Sequence, residues 1–322
     1  MTSKRLAGVT FDLTGTLLGY RGRLGHLYCA GARRAGEACP EMEAVERAWP
    51  HAYRMMSAAH PHFGYDEGMS DRAWWREVVR QSFAAAGVSY VPEWRFERVY
   101  ARIYQSFGSR RAYRAFPDAH RLLKRLRDLS ESHGLVVGAV SNASSRYRDG
   151  ILPMLNLDLG LDFVLLSGLV GISKPDPRLF RMAAHAVEAT ANGWEVCETS
   201  YVGAAEVCAA RGGGWPHDVA TKPVQVGDIL HVGDSLLNDC VPATELGMRA
   251  ALIDRFDSRD GAEARKRGFH VFRDLNALGQ FLNAQGWLPH AATDERSAGR
   301  EAEAHASAAS AAPRAQHTCL DT

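Results

Sequence analysis

Four short stretches of the chain place reactive side chains directly after apolar runs. Phe11-Asp12-Leu13-Thr14-Gly15-Thr16 closes the run at 6–11, and Ser141-Asn142 follows the run at 135–140. Lys174-Pro175-Asp176 comes a few residues after the run at 163–166, and Gly233-Asp234-Ser235, with Asp239 shortly beyond, follows 229–232. If these runs are strands of one parallel sheet, their carboxyl ends open on one crevice, where such sheets bind ligands. Carboxylates gathered there suit a hard cation such as Mg²⁺, and a lysine among them suits an anionic substrate. Asp12 alone reads equally well as the polar end of a strand before a Gly15 turn. The coincidence of all four stretches favours chemistry.

The elements that must position these residues are legible from periodicity. The apolar runs do not alternate with polar residues, as expected for strands covered on both faces. Helical patterns lie between them at 118–132, 145–155, 177–188 and 236–247, and a further run at 250–253 is followed by a strand around 270–272 and a helix at 274–283. This rhythm predicts an α/β fold, a doubly wound, Rossmann-like parallel sheet. Residues 19–112 break it. They carry helical periodicity at 25–37, 41–59, 71–87 and 92–107, with aromatic bulk from Trp74, Trp75, Phe83, Trp94, Phe96 and Tyr100. The expected organisation is a core of 1–18 plus 113–287, interrupted by an irregular insertion at 190–226, with an inserted helical cap domain at 19–112. The Ala/Ser-rich tail at 288–322 is expected to be disordered, because it lacks the apolar surface to offset ordering.

Composition excludes several classes of function. The 322 residues are 46% apolar and 23% charged with a formal net charge of +1, which provides no basic surplus for nucleic acid or an anionic membrane. No apolar run approaches the ~20 residues of a membrane span. The N-terminus enters a strand pattern at once, leaving no room for a signal peptide, so a cytoplasmic location is expected. The six cysteines include no CxxC pair and are expected as reduced thiols.

In residue type and order, Asp12 with Thr16, Ser141, Lys174, and Asp234 with Asp239 resemble the four motifs of the haloacid dehalogenase-like hydrolases, over about 6–287. The insertion after the first motif is similar to that family's small helical cap. The resemblance implies that Asp12 is a nucleophile forming an aspartyl intermediate, and that Lys174 neutralises charge between it and a phosphoryl group. It implies Mg²⁺ held by Asp12, the backbone carbonyl of Thr14, Asp234 and Asp239, the last as a further ligand or behind the others. Thr16, Ser141 and its neighbour Asn142 would bind the substrate, a small phosphorylated metabolite. One position departs from the pattern. Phosphatases of the family carry a second Asp where this chain has Thr14, and a missing acid–base typically costs about 10²–10⁴-fold. Three readings follow: a Mg²⁺-dependent phosphatase or phosphotransferase, slowed where Thr14 replaces the acid; a binding or regulatory module; and a metal-free 2-haloacid dehalogenase, which would not need the Asp234/Asp239 pair.

Weaker signals have blander readings. Arg21, Arg23 and His26 fit an exposed basic hinge better than a replacement acid. His60 and His62 fit a polar loop better than a metal site. Trp74 and Trp75 cannot share one helix face, so at least one packs in the cap core. The glycines at 212–214 lack a following GK[ST] and read as a flexible loop.

Overall fold

The apolar run after the N-terminus forms β1 (Gly8–Phe11), buried at every residue. A strand buried on both faces needs neighbours on both edges, and β1 pairs in parallel with β4 (Val136–Ser141) and β6 (Ile229–Gly233), Gly8 standing opposite Val136 and Ile229. β5 (Phe163–Leu166), β7 (Arg249–Ile253) and β8 (His270–Phe272) extend the sheet, in the order β5-β4-β1-β6-β7-β8 with every pairing parallel. The chain therefore runs outward on one side of β1 and then outward on the other. The carboxyl end of β1 lies at the point where strand order reverses, the usual ligand crevice of an open α/β sheet. The computed structural model describes residues 5–88, 91–193 and 223–289.

Both faces are covered, as the continuous apolar runs require. Helix α5 (Pro117–His133) sits against one face with Leu122, Leu123, Leu126 and Leu129, together with Leu275, Leu278 and Leu282 from the last helix, Leu275–Ala284. Helix α6 (Pro177–Ala191) buries Leu179, Phe180, Ala183 and Val187 on the other. Pro177 opens α6 and Asp176 caps it by accepting from Arg178 N at 2.8 Å, so Asp176 in the Lys174-Pro175-Asp176 stretch is a helix start.

The segment between Tyr20 and Tyr113 folds into four main helices close to the predicted spans: α1 (Leu24–Arg34), α2 (Met42–Ala59), α3 (Asp71–Ala85) and α4 (Glu93–Ser106). Ser70 Oγ caps α3 by accepting from Ala73 N at 3.2 Å. These helices bury a core of their own around Tyr28, Val79, Phe83, Tyr100 and Ile103, with Met56, Trp74 and Val78 beside it. The described residues up to Leu288 nevertheless pack as one body.

Three features differ from the sequence reading. Leu18–Tyr20 (β2) and Tyr113–Ala115 (β3) form an antiparallel ribbon at the root of the helical insert; three-residue strands are too short to show a period, and their pairing spans more than ninety positions. The helical patterns at 145–155 and 236–247 each open on a wide π turn, Tyr147–Ile151 and Leu236–Cys240. Cys29 and Cys39 are paired in a disulfide, correcting the expectation of reduced thiols there, while Cys240 is a buried free thiol. Spacing alone does not reveal a pair joined by a loop between two helices. Of the tail expected to be disordered at 288–322, Leu288 is instead buried in the core, and residues 290–322, most of the 190–226 insertion and the glycines at 212–214 lie outside the described residues. No described helix is long and apolar enough to cross a membrane.

Candidate active site

Asp12 leaves β1 at the switch point, its backbone N–H held by Val232 O at 2.8 Å, and its side chain is buried. The chain then turns sharply. Leu17 and Leu18 N–H both return to Leu13 O, at 2.9 and 3.0 Å. Gly15 makes this possible: its φ is +98°, and a Cβ there would lie 2.0 Å from Asp234 Oδ2. Only glycine tolerates that backbone and that approach together. Arg255, just beyond β7, holds the loop from outside. Its guanidinium donates to Gly15 O at 3.2 Å and Thr16 O at 2.8 Å, pairs with Asp118 at 2.9 Å, and lies 3.9 Å from the centre of the Phe116 ring.

The four predicted stretches meet here. Ser141 Oγ donates to Asp12 Oδ1 at 2.9 Å, and Lys174 Nζ donates to the same oxygen at 2.6 Å and to Asp239 Oδ1 at 2.6 Å. Asp12 Oδ2 has no hydrogen-bond donor among the described residues. Asn142 is used on the backbone of Lys174: its Oδ1 accepts from Lys174 N at 2.7 Å and its Nδ2 donates to Lys174 O at 2.9 Å. This pair of bonds fixes where the lysine leaves its loop. Asp239 is saturated. Beyond Lys174, it accepts from His231 Nε2 at 3.1 Å and Ser235 N at 3.0 Å. A carboxylate only accepts, so His231 carries a proton on Nε2, and its Nδ1 is hydrogen-bonded to the Thr10 hydroxyl at 2.9 Å.

Charge balance in this crevice is uneven. Burial opposes ionisation of Asp12 and Asp239, and partial desolvation at the crevice opposes it in the more exposed Asp234. In Asp239 this is overcome by Lys174 and His231, which hold it well below the usual range. Burial likewise penalises the Lys174 ammonium, but Asp12 and Asp239 outweigh it and push the lysine above its ordinary value. Asp12 is raised by burial, which Lys174 only partly offsets. Asp234 is exposed at its outer side, yet desolvation on the crevice side and the charges of Asp12 and Asp239 push it up to about 8, and no described side chain donates a hydrogen bond to it.

The two threonines of the loop have opposite fates. Thr14 Oγ1 is bonded to Tyr147 OH at 2.9 Å. Thr16 Oγ1 is buried with no partner among the described residues, an arrangement that costs free energy unless something else supplies one. Among the weaker signals, Arg21, Arg23 and His26 are exposed. His60 pairs with Glu67, and His62 Nδ1 lies 2.7 Å from Ser173 Oγ, tying the insert to the residue before Lys174. Trp74 is fully buried, and Trp75 is partly exposed to a cavity. His231, Arg255 and Tyr147 escaped the sequence reading: each sits in ordinary apolar or loop context, and only folding brings it to the crevice. The described residues contain no ready-made cluster of three or more His, Cys, Asp or Glu side chains around one metal position; Lys174 Nζ stands between Asp12 and Asp239.

Fold and site together define a parallel α/β protein of the hydrolase type, with a carboxylate, a lysine and a serine converging at its switch point. The chain belongs to the haloacid dehalogenase-like hydrolases, whose family model matches residues 6–209. It is 30% identical over 259 residues to human haloacid dehalogenase-like hydrolase domain-containing protein 3, a match covering 79% of this chain and 95% of the relative. The Mus musculus protein of the same name is 36% identical over 175 residues, covering 54% of this chain and 66% of that protein. Among solved structures, a dehalogenase is similar at a TM-score of 0.53 and 20% identity, covering 88% of this chain and 98% of its own. The magnesium-bound HAD-hydrolase YfnB of Bacillus subtilis is similar at 0.53 and 16%, covering 87% and 99%. These two likenesses concern the fold.

Proposed function

We propose that this hydrolase is a Mg²⁺-dependent phosphatase or phosphotransferase acting on a small phosphorylated metabolite through Asp12. The observation that carries the reading is the state of three neighbouring carboxyls, Asp12 and Asp239 buried and Asp234 exposed beside them. Lys174 serves Asp12 and Asp239 from one side, leaving Asp12 Oδ2 without a donor and Asp234 without a side-chain donor among the described residues, its carboxyl bonded only by its own backbone N–H. A divalent cation fits that deficit of positive charge, and the donor set is all oxygen, as Mg²⁺ requires. Asp12, Asp234 and the Thr14 carbonyl would hold it. Asp239, whose oxygens are already bonded, stands behind them as the anchor of Lys174. Bound there, Mg²⁺ would supply positive charge to the phosphoryl oxygens.

The chain's own groups divide the remaining work. Asp12 Oδ2 is the free nucleophilic oxygen: its bond to phosphorus forms as the bond to the ester oxygen breaks, and water later releases phosphate and restores the carboxylate. Lys174 and Ser141 hold Asp12 through Oδ1, which keeps the other oxygen presented. The unpartnered Thr16 hydroxyl is available as a donor to a phosphoryl oxygen. Such fixed donors stabilise a charge-dispersed transition state. The helical insert acts as a cap that excludes water.

A second reading rests on Thr14. Its hydroxyl is committed to Tyr147 and cannot protonate a leaving alkoxide at neutral pH, which favours a slow enzyme or a binding module. Phosphate release from a panel of phosphate monoesters, with Mg²⁺ or with chelator and with Asp12→Asn as the blank, separates the two. Mg²⁺-dependent release lost in the variant is the expected result. No release above the blank from folded protein refutes catalysis and leaves the binding module.

A further inference from the structure

The helical insert divides its charge unevenly. Residues 13–36 and 98–117 hold nine arginines and no Asp or Glu, so the overall charge of +1 hides a local surplus. All nine are exposed, and none pairs with a carboxylate among the described residues. The acidic residues of α4 are spent on its neighbour α3, where Glu97 pairs with Arg76 and Glu93 with Arg80.

Spacing and packing gather the surplus along one groove. Trp94, Arg98, Arg102 and Ser106 recur every four residues on α4 and therefore share a side of that helix. From Trp94 to Ser106 this line runs about 18 Å at 1.5 Å per residue. The end of α1 lies beside it: Arg98 donates to Ala35 O at 2.6 Å, and Arg34 donates to Ser106 Oγ at 3.2 Å. Each bond uses one of the five N–H donors of a guanidinium and leaves the others to solvent. Arg33 precedes Arg34 on α1, and Arg102 bonds only Gln105 of its own helix. At the far end Trp94 is 58% exposed. Its ring centre lies 5.2 Å from Arg95 Cζ and 5.8 Å from Arg98 Cζ, within the range of cation–π attraction. No other large apolar side chain of α1 or α4 is exposed. Guanidinium groups pair with phosphates in bidentate fashion, and an indole face accepts a stacked base whatever its identity. A duplex offers no free base face to that ring. A bilayer requires an apolar patch, which one indole flanked by arginines does not provide. An acidic peptide would satisfy the arginines and leave the indole without a flat partner.

We infer that the groove between α1 and α4 binds single-stranded nucleic acid. It uses none of the crevice residues, so it stands or falls independently of the phosphatase reading. Fluorescence anisotropy of a labelled oligothymidylate of about twelve nucleotides, titrated with the full chain at low and at fourfold higher salt, reads it directly. Phosphate contacts from Arg33, Arg34, Arg98 and Arg102, each contributing a slope of about −0.7, predict an affinity that falls about fiftyfold over that change. Trp94→Ala is expected to weaken binding about tenfold and leave the salt slope unchanged, because it removes stacking and no charge. The double variant Arg33→Glu with Arg102→Glu is expected to weaken it at least tenfold and roughly halve the slope. Both variants change exposed side chains, and their melting temperatures check that they fold. Absence of binding at about 10⁻⁴ M protein in low salt overturns the inference, since even non-specific complexes form at that concentration. Binding that both folded variants retain in full overturns the placement in this groove. Equal affinity for a duplex of the same length overturns the single-strand assignment. Sedimentation with phosphatidylserine vesicles, without binding of the oligonucleotide, overturns it in favour of a membrane surface.

Discussion

Replacing Asp234 by Asn tests the charge argument without relying on any substrate. In the metal-free protein its carboxyl is held at about 8 against an ordinary 3.8. Between those values the folded state keeps a proton that the unfolded state has released. Rising pH therefore favours unfolding across this window, and the loss is complete above about pH 8. From pH 5 to 8, three pH units at about 1.4 kcal/mol each set a ceiling near 4 kcal/mol. Asp12 and Asp239 share the same field and Asp234 itself is solvent-exposed, so screening discounts the ceiling and the expected gain of Asp234→Asn over the parent grows by about 1–2 kcal/mol between pH 5 and 9. Urea unfolding in chelator at several pH values reads this, provided the slope with denaturant is unchanged. Adding Mg²⁺ at pH 8 should reverse the order: the parent gains stability by mass action and the variant does not. Stability curves for parent and variant that stay parallel from pH 5 to 9 would falsify the claim of a carboxyl uncompensated beside two others.

Three further outcomes are expected. Thr14→Asp places an acid beside the Tyr147 hydroxyl, and Mg²⁺-dependent phosphate release should rise by about 10²–10⁴-fold; an unchanged rate shows that proton transfer is not what limits the site. Arg255→Met removes a nearly buried partner of Asp118 along with the clamp on Gly15 and Thr16. Urea unfolding should reveal a loss of about 3–5 kcal/mol, and a loss below 1 kcal/mol contradicts the clamp. Gly15→Ala puts a methyl group into Asp234 at a positive φ, so Mg²⁺ should no longer raise the melting temperature; retention of that shift means the loop can reorganise freely.

The sheet was legible because its strands are buried on both faces, which leaves unbroken apolar runs in the sequence. The helices of the insert were legible because each is long enough to repeat its period several times. Asp12, Ser141, Lys174, Asp234 and Asp239 could be found because each follows a strand end, and strand ends of a parallel sheet share one edge. The β2–β3 ribbon could not, since three residues carry no period and the partners lie far apart in the chain.

Sequence by itself determined which reactive groups reach the crevice, because strand order and strand ends are written locally in hydrophobic runs and turns. It did not determine what those groups do to one another. That Lys174 joins Asp12 to Asp239, that Asn142 fixes the lysine's backbone, that His231 saturates Asp239 and that Arg255 clamps the loop depend on distances of a few ångströms between remote segments. The same holds for the Cys29–Cys39 pair and the arginine-lined groove. Hydrogen bonds, charge coupling and ring contacts fall away within such distances, so only the packed tertiary structure could decide them.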